Sequence, residues 1–302
     1  MISWARNQLL AYNNLTVLVT GASGFIGHRL VQILKLLDAN VTQIQKTQTS
    51  LEPNIQRLDL SDYSKCSQLF RERSFDIIFH LAGWVSRKSE IRYVQKANQS
   101  NLITTLNVLE NAAKYSPTSK IVIPGSILEN SQVQTPYSVS KAATSLYVDL
   151  FQKLYHYNIS RLGICLTYGP NQNPNGLIPY TINAFINNDP VIKLNINRLL
   201  DIIYLDDVVN ALLLTGISPS HPTPLYIGSN QPISAKQITD TIAQLMNKDP
   251  ELVTFNLNEK SNYEYSTEFS NPEEYIDWKP QWDIQQGLMK TIEWHLAKRD
   301  LS

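Results

Sequence analysis

Two side chains one helical turn apart, Tyr137 and Lys141, have types and spacing that could do chemistry in this 302-residue chain. Residues i and i+4 of a helix share a face. A nearby ammonium favours phenolate and draws a tyrosine down from its ordinary pKa of about 10. A tyrosine so placed is a usable acid or base near neutrality. Spacing alone does not select this pair, because Tyr275 and Lys279 repeat it, but Pro280 follows them at once and an extended helix is not expected there. Ser126 lies eleven residues before Tyr137, at the end of an expected parallel strand, and ligand sites of open α/β sheets lie beyond the carboxyl ends of strands. The second motif is Thr20-Gly21-Ala22-Ser23-Gly24-Phe25-Ile26-Gly27. Gly21 suits a tight turn, Gly24 admits a pyrophosphate close to the backbone, and Gly27 lets the following helix pack near the sheet. No Gly-Lys-Ser/Thr follows, which excludes a P-loop.

These residues need a scaffold, and the hydrophobic periodicity supplies one. Leu15 to Thr20, Val41 to Ile44, Asp76 to Leu81, Lys120 to Pro124 and Ile159 to Leu166 read as strands. Between them, Phe25 to Leu37, Asp62 to Arg73, Lys96 to Tyr115 and Ser138 to Tyr157 carry apolar residues at helical spacing. Strands alternating with helices imply βαβ units and a doubly wound parallel sheet of the Rossmann kind. After Tyr168 a turn-rich run, Gly169 to Gly176, leads into shorter and more mixed elements. Helices are expected at Asp206 to Gly216, Ser234 to Met246 and Ile284 to Ala297, with Asp206 and Ser234 as N-cap candidates. The expected division is a dinucleotide-binding domain over 1–168, with 199–219 returning to it, and a smaller mixed substrate domain over 169–302.

Composition narrows the function. Lys+Arg and Asp+Glu are both 26, so the net charge is zero, against the basic excess of a nucleic-acid binder. Hydrophobic residues at 43% support a large core. No apolar run reaches the roughly 18 residues of a membrane span, and Met1 to Asn14 lacks the pattern of a signal peptide. Cys66 and Cys165 are far apart and the five His show no ligand spacing, so neither a disulfide framework nor a metal site is expected. The expectation is a cytoplasmic protein with no nucleic-acid or membrane partner.

Together these residues resemble the extended short-chain dehydrogenase/reductase family, the branch of nucleotide-sugar epimerases, dehydratases and reductases. The likeness runs from about Leu15 to the C-terminal helix. Gly21, Gly24 and Gly27 match its TGxxGxxG loop, with Ser23, Phe25 and Ile26 between them as further cofactor contacts. Asp59-Leu60 matches its acidic position beside adenine, and His80-Leu81-Ala82-Gly83 its HLAA segment, Gly83 replacing the last Ala. Asn101 matches the helix-borne Asn that supports the site, and Ser126, Tyr137 and Lys141 match the catalytic set. Tyr168-Gly169-Pro170, Asp201 to Asp207 and Asp277 to Pro280 are similar to its YGP, RDFIYVDD and LGWKP landmarks. The resemblance implies that Tyr137 exchanges a proton with substrate, Lys141 lowers its pKa and holds the nicotinamide ribose, and Ser126 bonds the reacting oxygen. It also implies a homodimer through the helices at 96–115 and 138–157, with Val148, Phe151, Leu154 and Tyr155 facing either the partner or the sheet.

Departures from the pattern sharpen the expectation. Leu200 stands where the family has Arg before the RDFIYVDD aspartate, with Arg198 two residues earlier as a candidate substrate contact. Leu166 stands where many members have Asn. Both weigh against a sugar nucleotide. Ile127 and Leu128 occupy the places of the dehydratases' acid pair. Gly125 to Asn130 is similar to the GSSEEY segment of 4-keto-6-deoxy-sugar reductases, making Glu129 a second substrate candidate. Gln43-Ile44-Gln45-Lys46 offers no acid for the ribose 2′-hydroxyl, and Lys46 could face a 2′-phosphate, so NADP is modestly preferred over NAD. The reading is a 4-keto-6-deoxy nucleotide-sugar reductase. The alternatives are a C4-epimerase of nucleotide sugars and a non-catalytic dinucleotide-binding regulator.

Overall fold

The computed structural model describes residues 6–46, 54–86, 88–130, 135–189, 192–194, 199–219, 221, 224–255 and 270–300. In chain order its elements are α1 (Arg6–Leu9), β1 (Thr16–Thr20), α2 (Phe25–Leu36), β2 (Asn40–Gln45), β3 (Ile55–Arg57), α3 (Tyr63–Glu72) and β4 (Ile77–His80). There follow α4 (Val94–Ala97), α5 (Thr104–Tyr115), β5 (Lys120–Ser126), α6 (Pro136–Lys153), β6 (Ile159–Ile164) and β7 (Leu166–Tyr168). The remainder are α7 (Leu177–Asn187), β8 (Ile192–Leu194), β9 (Leu199–Leu200), β10 (Ile202–Tyr204), α8 (Leu205–Ile217), β11 (Leu225–Ile227) and β12 (Ile233–Ser234). Then come α9 (Ala235–Leu245), β13 (Val253–Phe255), α10 (Pro272–Ile276) and α11 (Ile284–Asp300). The chain forms two compact units. One comprises Met1–Ile164, Val209–Tyr226 and Tyr265–Trp278; the other comprises Cys165–Val208, Ile227–Glu264 and Lys279–Ser302.

The first unit is built on a seven-stranded sheet in the order β11-β6-β5-β4-β1-β2-β3, and strands β1 to β6 pair parallel. This is the doubly wound order, which reverses between β1 and β4. Strands covered on both faces read as continuous apolar runs, as Val17 to Val19 and Ile77 to Phe79 do, all buried. Leu18, Ile78 and Ile121 on one face pack against Phe70, Val108 and Val148 of the crossover helices. The expected strand Ile159 to Leu166 stops at Ile164; Leu166 starts β7, which pairs with β10 in the second unit. The second unit has its own core, with Phe185, Ile238, Ile242 and Leu288 buried at its centre.

Local chemistry sets several boundaries. Asp62 caps α3 by accepting from Lys65 N at 3.2 Å, and Ser234 forms a reciprocal capping box with Gln237. Asp206 is not an N-cap: α8 begins one residue earlier, at Leu205. The next acid, Asp207, is buried and accepts from the backbone N–H of Gln281 at 2.9 Å and of Trp282 at 3.2 Å. Burial pushes its carboxyl up to about 6 in spite of those bonds. The rival Tyr275/Lys279 pair does not share a helix, because α10 ends at Ile276 and Asp277 turns left-handed at φ +48°. Among the described residues no helix is long and apolar enough to cross a membrane.

Gly216 in α8 tests the packing of the first unit. Alanine normally stabilises a helix interior by about 1 kcal/mol over glycine. Here a Cβ would collide with Tyr12 Oη and lie 2.9 Å from Phe79 Cζ, and overpacking of this kind costs about 1–3 kcal/mol. Gly216→Ala is therefore expected to lower stability rather than raise it, read as an earlier urea midpoint at unchanged slope.

Candidate active site

The loops after β1 and β4 meet at the point where the strand order reverses. Gly21 holds φ +66°, and a Cβ there would lie 2.7 Å from Leu81 C and 2.8 Å from Ala82 N. Ala82 N–H donates to Thr20 Oγ1 at 3.1 Å. Gly24 is the N-cap of α2 and makes no side-chain cap bond, so the cap leaves the backbone N–H groups of the first turn to an anion. A Cβ on Gly27 would strike Gly21 O, which ties this glycine to close packing of the helix on the turn. The cradle therefore fits a dinucleotide pyrophosphate at Gly21, Ser23, Gly24, Phe25, Ile26 and Gly27.

Asp59 follows β3. Its Oδ1 accepts from Ser61 N at 3.1 Å and Ser61 Oγ at 2.7 Å, and Oδ2 pairs with Lys46 Nζ at 2.8 Å. Partial burial works to raise this carboxyl, but the bonds from Lys46 and Ser61 outweigh it and hold the group below its usual value. Lys46 is thus engaged with the residue expected to contact adenine. Leu60 is buried, and its carbonyl accepts from Asn107 Nδ2 at 2.8 Å.

Tyr137 lies in the first turn of α6, which begins two residues earlier than the helix expected from periodicity and ends at Lys153, before the expected Tyr157. Thr135 and Ser138 form a capping box, Ser138 N donating to Thr135 Oγ1 at 3.1 Å and Thr135 N to Ser138 Oγ at 2.8 Å. Pro136 occupies the first helical position, where its missing N–H costs nothing. The phenol is buried and hydrogen-bonded to Ser126 at the end of β5. Lys141, one turn on, donates its Nζ to Pro124 O at 2.8 Å. Pro124 lies past Val122, the last residue of β5 paired with β4.

The electrostatics differ from the expectation. Burial pushes Tyr137 up to about 12 and the charge of Glu129 adds to the rise, while the Ser126 hydrogen bond acts against both. Desolvation lowers the Lys141 ammonium, with Glu129 opposing and Arg161 assisting. In the structure the buried phenol is a protonated donor at neutral pH, not a tyrosine drawn down by its lysine. The reason is that desolvation dominates the phenol and the neighbouring Glu129 charge acts in the same direction.

Asn101 is buried at one register of a π-helical segment, Asn98–Ile103, between α4 and α5. Such segments recur at functional sites. Thr104 Oγ1 donates to Ser100 O at 2.7 Å and Thr105 Oγ1 to Asn101 O at 2.6 Å, side-chain bonds that compete with the regular ladder. The Asn101 amide donates to Ser140 Oγ at 2.8 Å and Trp84 O at 3.1 Å, and accepts from Trp84 N at 2.7 Å. Ser140 in turn donates to Tyr137 O at 2.8 Å. Asn101 therefore braces the Tyr137 turn from behind. Gly83 in place of alanine has a cause here, since a Cβ would stand 3.0 Å from Asn101 Oδ1.

Glu129 is turned inward: it accepts from Ser126 N at 2.8 Å and Ser145 Oγ at 2.6 Å, and Arg161 stands 3.9 Å away. Leu200 is buried in the core of the second unit and Leu166 packs against it, so these positions contribute packing and no polar handle. The Asp201 carboxylate accepts from Ser229 N at 2.9 Å and Asn230 N at 3.1 Å. Arg198 lies outside the described residues. Sequence reasoning missed the Thr135/Ser138 cap, Ser140, Ser145 and Arg161; only the cap had a readable signal, a threonine before proline and three residues before serine.

A parallel sheet in this order, a glycine cradle at its switch point and a Ser/Tyr/Lys set at its carboxyl edge define an extended short-chain dehydrogenase/reductase. The chain belongs to the NAD dependent epimerase/dehydratase family, which its residues 17–221 match. It is 26% identical to a probable dTDP-glucose 4,6-dehydratase of Sinorhizobium fredii over 93% of this chain and 92% of that protein. It is 24% identical to a putative UDP-glucose 4-epimerase of Methanocaldococcus jannaschii, over 92% of this chain and 97% of the relative. The fold matches the UDP-glucose 4-epimerase of Thermotoga maritima, solved with UDP-glucose, at a TM-score of 0.83 and 22% identity, covering 95% of this chain and all of that one (100%). It also matches the dTDP-glucose 4,6-dehydratase of Bacillus anthracis, solved with NAD, at a TM-score of 0.82 and 19% identity over 95% of this chain and 98% of that one.

His80, behind the site, makes stability depend on pH. It is buried between Thr20 Oγ1 at 2.8 Å and Thr105 Oγ1 at 3.0 Å. Desolvation, assisted by the Lys141 charge, pushes its ring down to about 3 from 6.5. The unfolded chain takes up this proton below about 6.5 and the folded chain only near 3, so stability is lost as pH falls through that window. At about 1.4 kcal/mol per pH unit, the parent should lose about 2–3 kcal/mol more than His80→Gln between pH 6.5 and 4.5 in urea titrations. Parallel pH slopes for the two proteins would refute the assignment.

Proposed function

We propose that the protein is an NAD(P)-dependent oxidoreductase of nucleotide sugars, acting as a 4-keto-6-deoxy nucleotide-sugar reductase. The observation that carries the reading is the Ser126–Tyr137 hydrogen bond with Lys141 one turn along the same helix. A protonated, buried phenol suits delivery of a proton to an oxygen that gains charge while its carbon accepts hydride. A bound nicotinamide supplies that hydride. The ketone then becomes an alcohol, with the Tyr137 proton on its oxygen, and the Lys141 ammonium offsets the remaining phenolate. Ser126 steadies the reacting oxygen, and Asn101 braces the turn that carries Tyr137. The glycine cradle, with Lys46, Asp59, Leu60, Leu81 and Ala82, is assigned to the dinucleotide. Ile127 and Leu128 at the dehydratase acid positions argue against loss of water.

NADP(H) is the favoured cofactor because Gln45, not an acid, ends β2. The Lys46–Asp59 pair is solvent-exposed. Such pairs are worth about 0–1 kcal/mol, so a 2′-phosphate could displace the carboxylate. The exposed Arg57, whose Nε donates to Lys46 O at 3.3 Å, adds a second cation there. The same Lys46–Asp59 pair favours a second reading, an NAD-dependent C4-epimerase, since it leaves Lys46 already neutralised.

The test incubates purified protein with a panel of 4-keto nucleotide sugars, with NADPH and NADH in parallel. One ketone should consume NADPH stoichiometrically and faster than NADH. Tyr137→Phe should lower that rate by about 10²–10⁴-fold with dinucleotide affinity nearly unchanged, and an active Phe variant would end the assignment. If no ketone consumes either cofactor, yet unoxidised sugar nucleotides interconvert with bound NAD, the epimerase replaces the reductase.

The exposed side of α6 supports the assembly reading. Val148 is fully buried and Phe151 packs on the sheet core, whereas Val139, Leu146, Leu150 and Leu154 are exposed along one stripe. The protein is a homodimer through this stripe. Sedimentation at micromolar concentration should give a dimer for the parent and a monomer for Leu146→Glu/Leu150→Glu; a monomeric parent would overturn the assembly.

A further inference from the structure

Ser126-Ile127-Leu128-Glu129 has the S-x-x-E form of a capping box, and a 3₁₀ turn, Ile127–Asn130, begins directly after Ser126. The Glu129 carboxylate reaches back to the Ser126 N–H at 2.8 Å, while the Ser126 hydroxyl bonds Tyr137. Its other oxygen accepts from Ser145 of α6 at 2.6 Å and faces Arg161 of β6 at 3.9 Å. Arg161 is held in turn by Asp149 at 2.9 Å. Both Glu129 and Arg161 are almost enclosed, at 12% and 11% exposure. Gly125 leaves the room, since a Cβ there would lie 2.8 Å from Glu129 Oε1.

Net stability is a weak reason for this arrangement. A buried ion pair roughly balances its own desolvation cost, and apolar side chains of similar volume often do as well or better. The distinguishing feature is what the carboxylate joins: the end of β5, the helix that carries Tyr137 and Lys141, and the neighbouring strand β6.

We propose that Glu129 is a positioning residue, which locks the Ser126 backbone to α6 and β6 so that its hydroxyl stays on Tyr137. The proposal rests on the oxidoreductase reading given above and replaces the substrate contact expected of Glu129. The charge of Glu129 also opposes ionisation of Tyr137 and favours the protonated form of Lys141. The charged and titratable groups around it are Tyr137, Lys141 and Asp149 from α6, Arg161 from β6 and, through Lys141, the neutral His80 from β4.

The test is Glu129→Gln, which keeps the size and one acceptor but removes the charge. In the cofactor-free protein, ¹³C-tyrosine NMR with Tyr137→Phe for assignment should show Tyr137 titrating at lower pH in the Gln variant than in the parent. With a substrate in hand, kcat should fall about 10–100-fold, the scale of a small misplacement of a reacting group, at similar KM. The alkaline limb of the pH profile should move to lower pH. An unmoved Tyr137 titration with parent kcat would overturn the proposal. A moved titration in a protein that turns over no nucleotide sugar would support the positioning role and sink only the reading it rests on. Should Glu129→Gln fail to fold, Ser145→Ala removes only the Oε2 bond: a lowered kcat at unchanged melting temperature supports the proposal, and parent kinetics overturn it.

Discussion

A single hydrogen bond, between the Ser126 hydroxyl at the end of a central strand and the buried Tyr137 phenol at the start of the next helix, sets what the rest of the first unit must do. A strand end and a helix start are the frayed parts of their elements, where orphan backbone groups ordinarily turn to water. Here each is closed by a side chain. Thr135 and Ser138 close the helix start, Glu129 closes the strand end, and Asn101 braces the helix from behind through Ser140. Ser126, Tyr137 and Lys141 are thereby mounted on regular elements while still reaching the carboxyl edge of the sheet.

Burial is the cost of that precision. The Tyr137 phenol, the Lys141 ammonium and the His80 ring are all shifted toward their neutral forms by desolvation. The shifts are not independent, since Glu129 and Arg161 act on Lys141 in opposite directions. Arg161, by contrast, faces two carboxylates, Asp149 and Glu129.

The glycine cradle follows different physics. Gly21 and Gly27 are required because another backbone stands where a Cβ would be. Gly83 yields to a side-chain oxygen instead. The same residue type thus marks close approach of three kinds: loop to loop, helix to turn, and loop to amide.

Much was determined by the sequence alone. Apolar runs and helical spacing gave the strand–helix alternation, because a strand covered on both faces has no other composition available to it. Three glycines at three-residue spacing and a Tyr/Lys pair one turn apart located the cradle and the Tyr137/Lys141 face, since both depend on spacing within one element. What the tertiary structure decided depends on partners distant in the chain. That Lys46 meets Asp59, that Glu129 turns from solvent to Ser145 and Arg161, and that Asn101 sits on a π register follow from which strands and helices become neighbours. The Tyr137 pKa was misread for the same reason: a neighbour four residues away is visible in the sequence, whereas the desolvation that outweighs it is a property of the folded interior.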